Sequence, residues 1–161
     1  MARPWFSLEP VDEGFFEAAR FRLRGAFEIP RRAASVWGEL TGDAALHWCR
    51  ALDSITWTSP GPFGVGTTRT ARSLRGASVL HERFFCWEEG WRRSFYVEEA
   101  SVPLFRRFAE DYLVEALSET TSRFTWTIAV QSRPAFRLAD PVNCLLLKSV
   151  FADTRSYYGL S

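Results

Sequence analysis

The feature that most constrains the fold is a long run of strand patterns followed by a single helical segment. Between residues 51 and 131, alternating apolar and polar residues are separated by short turns containing Gly, Pro and Ser, which predicts consecutive antiparallel strands. The six predicted strands lie near residues 51–58, 66–74, 78–88, 92–100, 109–117 and 122–131. Because such a meander cannot bury its own apolar face, another element must cover it.

The covering element is predicted at the end of the chain. Asp140 stands in the N-cap position and Pro141 in the first helical position, and neither Gly nor Pro occurs again before residue 159. One face of this predicted helix, residues 141–158, carries apolar side chains at helical spacing: Val142, Leu146, Val150 and Tyr157. The spacing predicts a long helix that lies across the sheet.

The segment before the meander completes the expected fold. Residues 19–29 alternate as a half-buried strand, Pro30 ends it, and residues 31–40 have the spacing of a short helix. Asp43 can cap a second short helix that carries Ala44, Leu46 and Trp48. We therefore predict an α+β fold: a curved seven-stranded antiparallel sheet wrapped around the long C-terminal helix, with two short helices after the first strand.

Composition limits the classes of protein to consider. The 161 residues are 47% hydrophobic, which suffices for one domain spanning 1–161, with residues 1–19 as an N-terminal extension. The 20 basic and 19 acidic residues are balanced, which argues against a nucleic-acid partner or an electrostatically bound membrane surface. No signal peptide or membrane-spanning helix is predicted, so we expect a cytoplasmic monomer or homodimer that does not insert into membranes.

Metal and cofactor motifs are not recognisable in the sequence. The cysteines, Cys49, Cys86 and Cys144, are odd in number and lack CxxC spacing, so neither a disulfide framework nor a zinc site is predicted. His47 and His81 have no acidic or cysteine partners at ligand spacing, and His81 should face outward. We expect no metal and no cofactor.

Aromatic residues indicate the kind of ligand. The chain contains 14 Phe, 7 Trp and 4 Tyr, more bulky rings than a small core requires. Rings also line pockets for apolar ligands, and one helix over a strongly twisted sheet leaves a gap. We therefore expect a cavity for a small hydrophobic molecule between the sheet and the C-terminal helix.

Short motifs along the chain, taken in order, resemble a known family. They are Phe27-Glu28-Ile29-Pro30, Ala34-Ser35-Val36-Trp37 with Trp48, Gly64-Val65-Gly66-Thr67-Thr68-Arg69, Glu82-Arg83, Trp87-Glu88 and Phe124-Thr125-Trp126. Over residues 20–158 the chain resembles the polyketide cyclase/dehydrase-type proteins of the START-like (SRPBCC, helix-grip) superfamily. Plant abscisic-acid receptors and birch-pollen allergens look like more distant relatives. The resemblance implies a hydrophobic-ligand cavity but no single reaction, because the family mixes cyclases, carriers and transporters.

Arg69 and Glu82 are the first candidate ligand-binding residues. If residues 75–76 form the centre of a hairpin, Arg69 lies directly opposite Glu82, on one sheet face with Phe84 and Cys86. The resemblance implies that this face looks into the cavity, where the pair would anchor a ligand carbonyl or hydroxyl. An exposed salt bridge on the outer face is the alternative. Burial would raise the pKa of Glu82 and support proton transfer, whereas pairing to Arg69 would lower that pKa, so the pair favours anchoring.

Further candidates lie on the other strands and on the C-terminal helix. The resemblance to the abscisic-acid receptors implies that Tyr112 looks into the pocket, and the alternation over residues 122–131 places Trp126 inward. Packing without ligand contact is the alternative for both. Arg92 and Arg93 are interpreted as a solvated strand end. The other candidate lining residues are Trp48, Trp57, Phe84, Phe95, Val97, Leu146 and Val150, with Val142 on the roof.

The sequence leaves the function open between two classes. One is a non-catalytic carrier or sensor of a lipid, isoprenoid or polyketide-like molecule. The other is a cyclase, aromatase or dehydratase in the same cavity, where Glu82 or Tyr112 would move protons. A protein-interaction module is a third interpretation, but no exposed apolar stripe is predicted to support it.

Overall fold

Eight strands form one antiparallel sheet in the computed structural model, which describes all residues from Met1 to Ser161. Seven of them form a curled sheet in the order β2-β8-β7-β6-β5-β4-β3, and the short β1 pairs with β6. Their bounds are β1 (Phe6–Ser7), β2 (Phe21–Ile29), β3 (Leu52–Trp57), β4 (Thr68–Ser73), β5 (Ser78–Glu88), β6 (Arg92–Ala100), β7 (Phe105–Ala116) and β8 (Ser122–Ser132). The predicted α+β fold with its seven-stranded curved sheet is confirmed.

The N-terminal residues cover part of the outer, convex face of the sheet. After β1, the short helix α1 (Phe15–Ala18) buries the side chains of Phe15 and Phe16. They pack against Ala109 on β7 and Ala129 on β8, two fully buried residues whose small side chains leave space for the rings. This packing accounts for two alanines in the middle of central strands.

One helix, rather than two, follows the first long strand. The helix α2 (Ala33–Thr41) agrees with the predicted element, but residues 43–48 form a series of turns, so the second short helix was wrong. Leu46 has a φ of 57°, in the left-handed region, which interrupts any regular helix. The hydrogen bonds in this segment accordingly connect residues three apart, as from the amide of Cys49 to the carbonyl of Leu46 at 2.9 Å.

The long C-terminal helix α3 (Asp140–Tyr157) agrees with the predicted element to within one residue at each end. A 3-10 helix at Pro134–Ala139 leads into it from β8. The helix begins at Asp140 and Ala139 is its N-cap, so the predicted N-cap position of Asp140 was wrong. The carboxylate of Asp140 accepts a hydrogen bond from the hydroxyl of Ser132. None of the helices is both long enough and apolar enough to span a membrane.

The two halves of α3 are held differently. In the C-terminal half, Thr154 accepts a hydrogen bond from the indole N–H of Trp48 at 3.0 Å, and the buried Asp153 accepts the amide and Nε of Arg50, each at 2.9 Å. The first turns instead expose apolar side chains, among them Val142 and Leu145. The helix is therefore anchored at one end and lies more openly over the sheet at the other.

Candidate ligand-binding site

A cavity of about 190 Å³ lies between the concave face of the sheet and the N-terminal half of α3. Its wall is mainly apolar. The hydrophobic lining includes Leu46, Leu52, Ile55, Ala71, Leu80, Phe95, Val102, Leu104, Phe105, Phe108, Trp126, Ile128, Leu146, Leu147 and Val150. Few polar groups reach the wall, and most of the charged ones belong to a single buried cluster. This division between an apolar body and one polar region is typical of sites for amphipathic ligands.

The first part of the cluster is the pair predicted from the hairpin. Arg69 on β4 lies directly opposite Glu82 on β5, as the turn spacing predicted. Arg69 Nε donates a hydrogen bond to Glu82 Oε2 at 2.5 Å, and the two side chains are only 1% and 4% exposed. The alternative of an exposed salt bridge on the outer face is therefore wrong, and both residues line the cavity.

The guanidinium group of Arg69 keeps hydrogen-bonding capacity. Nη2 donates to the hydroxyl of Tyr112 at 3.4 Å, whereas Nη1 is buried without a hydrogen-bond partner. The rest of its surroundings is aromatic, with the ring centroid of Phe95 4.5 Å and that of Phe84 5.2 Å from Cζ. Arg69 is thus a cavity-lining side chain with one N–H group that no protein acceptor satisfies.

Glu110 on β7 completes the buried cluster with Arg69, Glu82 and Tyr112. It was not predicted as a site residue from the sequence. Its Oε2 accepts hydrogen bonds from the hydroxyl of Tyr112 at 2.9 Å and from the indole N–H of Trp126 at 2.8 Å, and neither bond uses Oε1. The signal was available, because residues two apart in a strand point to the same face. Once Tyr112 was expected to face inward, Glu110 should have been expected there too.

Burial controls the protonation of these groups. It raises the pKa of Glu110 to about 7, with the nearby Glu82 carboxylate adding to the effect. Burial also raises the pKa of Glu82 and outweighs the opposing influence of Arg69. Burial opposes the charge of Arg69, but the adjacent Glu82 outweighs it, and the pKa of Arg69 is raised. The pKa of Glu110 therefore lies near neutral pH.

Arg93 on β6 extends the cluster away from the cavity. It lies opposite Tyr112, is fully buried, and donates to the carbonyl of Leu40 near the end of α2 at 2.5 Å. Its interpretation as a solvated strand end was wrong, because it faces the concave side among the rings of Trp37 and Trp87, whose centroids lie 5.5 and 5.6 Å from Cζ. Burial, with Arg69 adding repulsion, lowers the pKa of Arg93 to about 9.

Most of the predicted lining residues line the cavity. Besides Arg69, Glu82 and Tyr112, these are Trp126, Phe95, Leu146 and Val150. Phe84 is buried beneath the guanidinium group of Arg69 instead, and Val97 is buried without reaching the wall. Val142 points to solvent with 69% of its surface exposed, so it does not form the roof.

The other two predicted lining residues are held elsewhere by their indole groups. Trp48 stacks on Tyr157 with ring centroids 4.4 Å apart while it bonds Thr154, so it fastens α3. Trp57 donates to the carbonyl of Gly42 at 3.2 Å and stacks on Phe63, so it closes the end of the sheet near α2. Neither side chain lines the cavity, although the sequence predicted both on its wall.

The histidines and cysteines lie outside this cluster. His81 faces the outer side, where it stacks on Trp5 with centroids 4.2 Å apart and lies 3.5 Å from a Glu99 oxygen. His47 is exposed and bonds the carbonyl of Ala44. The three cysteines are free, and no group of three or more His, Cys, Asp and Glu side chains is arranged to hold a metal ion.

The match to known proteins agrees with this architecture. Residues 6–154 match the profile of the family described as polyketide cyclase / dehydrase and lipid transport. The chain belongs to this family. An uncharacterised protein of Mycobacterium tuberculosis is 33% identical over 157 residues, which are 94% of this chain and 93% of that protein.

Solved structures extend the fold comparison of this polyketide cyclase/dehydrase and lipid-transport family member. A START superfamily protein from Mycobacterium smegmatis has a TM-score of 0.61 at 11% identity, covering 84% of this chain and 98% of that one. The ginseng major latex-like protein 151 from Panax ginseng has a TM-score of 0.58 at 17% identity, covering 86% and 97%. The START-like resemblance drawn from the sequence motifs is confirmed.

Proposed function

We propose that the protein binds a small, mainly apolar molecule that carries a carbonyl or carboxylate oxygen, and that it acts as its carrier or sensor. The observation behind the proposal is that Arg69, which lines a mainly apolar cavity, has an Nη1 group without a hydrogen-bond partner. The apolar wall suits a hydrocarbon or ring system, while the cluster of Arg69, Glu82, Glu110 and Tyr112 supplies directional hydrogen bonds.

The chemistry of the cluster favours an acceptor on the ligand. A buried N–H group without a partner costs about 1–3 kcal/mol, which a ligand oxygen would recover on binding. Arg69 is already paired to Glu82, so its charge is largely compensated and both carbonyl and carboxylate groups fit the description. A ligand without any acceptor would fill the apolar part of the cavity and leave Nη1 unsatisfied.

Narrowing the cavity should weaken binding of a medium-chain fatty acid. We expect dodecanoic acid to bind the full chain in isothermal titration calorimetry, and Leu80→Trp to lower the affinity about tenfold or more, because the larger ring occupies space that the ligand needs. Leu117→Trp is the matched control, since Leu117 is exposed in the turn at the opposite end of the sheet. Absence of binding by the wild type across fatty acids, ketones and esters of different lengths would contradict the carrier proposal.

A second candidate function is proton transfer at a carbon next to a carbonyl. The raised pKa of Glu110, about 7, supports it, because a general base works best when its pKa lies near the operating pH. With a ketone oxygen at Arg69 Nη1, the Glu110 carboxylate would take the α-hydrogen as a proton. The C–H electron pair would form the enolate, whose oxygen Arg69 stabilises, and Glu110 would then return the proton. In this scheme Glu110, not Glu82 or Tyr112, is the acid–base residue.

The second candidate has its own test, independent of affinity. We expect the wild type to accelerate hydrogen–deuterium exchange at the α-carbons of 2-undecanone in D₂O, followed by NMR, with a rate that rises as Glu110 loses its proton. Glu110→Gln should lower that rate by about 10²-fold or more. Equal rates for the wild type, Glu110→Gln and buffer would exclude proton transfer of this kind while leaving the carrier proposal intact.

A further inference from the structure

Four apolar side chains are exposed together where the chain enters α3. Leu138 is 98% exposed, Leu145 72%, Val142 69% and Leu146 40%. Leu138 belongs to the 3-10 helix, and the other three follow it at intervals that put them on neighbouring turns of α3. We refer to Leu138, Val142, Leu145 and Leu146 as the apolar rim. Isolated exposed leucines are ordinary, but four adjacent apolar side chains form a patch that indicates a partner surface.

The apolar rim lies at the mouth of the cavity. Because the strands are antiparallel, the β4–β5 turn, the β6–β7 connection and the segment after β8 meet at one end of the sheet. Residues from each of these places line the cavity, including Leu74 in the first and Leu104 in the second. Leu74 is also 46% exposed, and Leu146 belongs both to the cavity wall and to the rim. The exposed apolar surface is therefore continuous with the cavity entrance.

Unpaired cations surround the same end of the molecule. Nine arginines form ion pairs, whereas Arg75, Arg137 and Lys148 are exposed and form none, and Arg3 bonds only Gly76 and Ser101. Exposed arginines without an ion pair also occur elsewhere, for example Arg24, Arg32 and Arg155. Of the carboxylates in this region, Glu9 is ion-paired, whereas Asp53 and Asp140 accept hydrogen bonds from neutral donors. Asp140 is buried against Ser132, Asp53 accepts the amide of Gly76, and Glu9 is paired with Arg106 and Arg107. A net charge of +1 for the whole chain is compatible with a local excess of positive charge at this end.

We propose that this end of the protein docks on the surface of an anionic phospholipid bilayer. The apolar rim would enter the boundary between headgroups and acyl chains, while Arg3, Arg75, Arg137 and Lys148 would contact the lipid phosphates. Docking here is peripheral and requires no spanning helix. It would also bring the cavity mouth directly to the lipid phase.

The charges disfavour a second copy of the chain as the occupant of this surface. A two-fold symmetric dimer would place the cations around one rim against the same cations around the other. Anionic headgroups complement those cations, and acyl chains complement the rim. The nearly equal numbers of basic and acidic residues in the sequence argued against a membrane-surface partner. Those numbers do not include the positions of the charges in the folded chain.

Vesicle sedimentation tests the docking directly. The full chain would be incubated with sucrose-loaded vesicles of phosphatidylcholine alone or of phosphatidylcholine mixed equally with phosphatidylglycerol. We expect the apparent affinity for the anionic vesicles to exceed that for phosphatidylcholine by about tenfold or more, and to fall as salt is raised. Val142→Glu/Leu145→Glu should lower binding to anionic vesicles about tenfold or more, because it places two anions in the rim.

Two controls separate docking from other causes. Leu117→Glu introduces one negative charge, half that of the double variant, at an exposed leucine in the opposite turn and should leave vesicle binding unchanged. Wild-type protein that fails to sediment with anionic vesicles, or an equal loss in Leu117→Glu, overturns the inference. So does a wild-type dimer in sedimentation equilibrium that Val142→Glu/Leu145→Glu converts to monomer. Dodecanoic acid binding measured on the same variants reports on the carrier proposal separately.

Discussion

Replacing Arg69 by Met alone should destabilise the protein by about 3–5 kcal/mol, because it leaves the buried Glu82 without its counter-charge. Arg69→Met/Glu82→Leu should recover most of this loss, because two apolar side chains of similar volume avoid the cost of burying charge. The free energies of unfolding of both variants would be measured by urea unfolding at pH 7, followed by circular dichroism. Together with Glu82→Leu, they give the coupling energy between Arg69 and Glu82 in a double-mutant cycle. The double variant should fold but lose the anchor for a ligand carbonyl.

The partly exposed ion pair between Arg83 on β5 and Glu98 on β6 provides the control for this experiment. Arg83 Nε bonds Glu98 Oε1 at 2.5 Å, the same separation as in the buried pair, but the two side chains are 42% and 31% exposed. Arg83→Met should therefore cost less than about 1 kcal/mol. If Arg69→Met costs no more than Arg83→Met, the buried pair is not what holds β4 against β5 at this position.

Replacing Glu110 by Gln should remove a fall in stability between about pH 4.5 and 7. Burial raises the pKa of this carboxyl from 4.5 to about 7 on folding. A carboxyl with a raised folded pKa holds its proton more tightly in the native state. The stability it contributes is therefore present below pH 4.5 and is lost as the pH rises to 7. The shift corresponds to about 3 kcal/mol.

The substitution Glu110→Gln suits the comparison because an amide oxygen can accept the bonds from Tyr112 and Trp126 that Glu110 Oε2 accepts now. Free energies of unfolding would be measured by urea titration at intervals from pH 4.5 to 8. Glu119→Gln, at an exposed carboxylate in the β7–β8 turn, should keep the wild-type pH dependence. A constant difference between Glu110→Gln and the wild type over the whole range would show that Glu110 titrates normally.

The parts of the fold and site that follow from local rules could be predicted from the sequence. The β4–β5 turn fixed the register that sets Arg69 against Glu82, and the alternation along β8 placed Trp126 inward. The same alternation predicts that Glu110, two residues before Tyr112 on β7, also faces the cavity. These inferences succeed because side-chain direction in a regular strand depends only on sequence position.

The remaining errors come from irregularities that the sequence does not reveal. The β5–β6 pairing shifts register between Phe84 and Cys86, and such a bulge reverses which side chains face inward. Trp87 therefore packs on Phe84 and against Arg93 on the inner face. Cys86, predicted to share the face of Phe84, instead lies near the outer-face charges of Arg92 and Glu13. Trp48 and Trp57 were misplaced for another reason, since their indole N–H groups find partners in distant segments that only the folded structure brings close.

The position of Glu110 would couple the binding of a carboxylate ligand in the cavity to the uptake of a proton. Arg69 and Glu110 share the hydroxyl of Tyr112, so a ligand oxygen at Arg69 lies within the electrostatic reach of this carboxyl. A carboxylate ligand would place a second negative charge there and favour the protonated form of Glu110 further. By linkage, such a ligand brings a proton with it, and its affinity declines as the pH rises through neutrality. The same molecule bound as an ester or ketone would lack this dependence, so the proton count per ligand reports the chemical class of the headgroup.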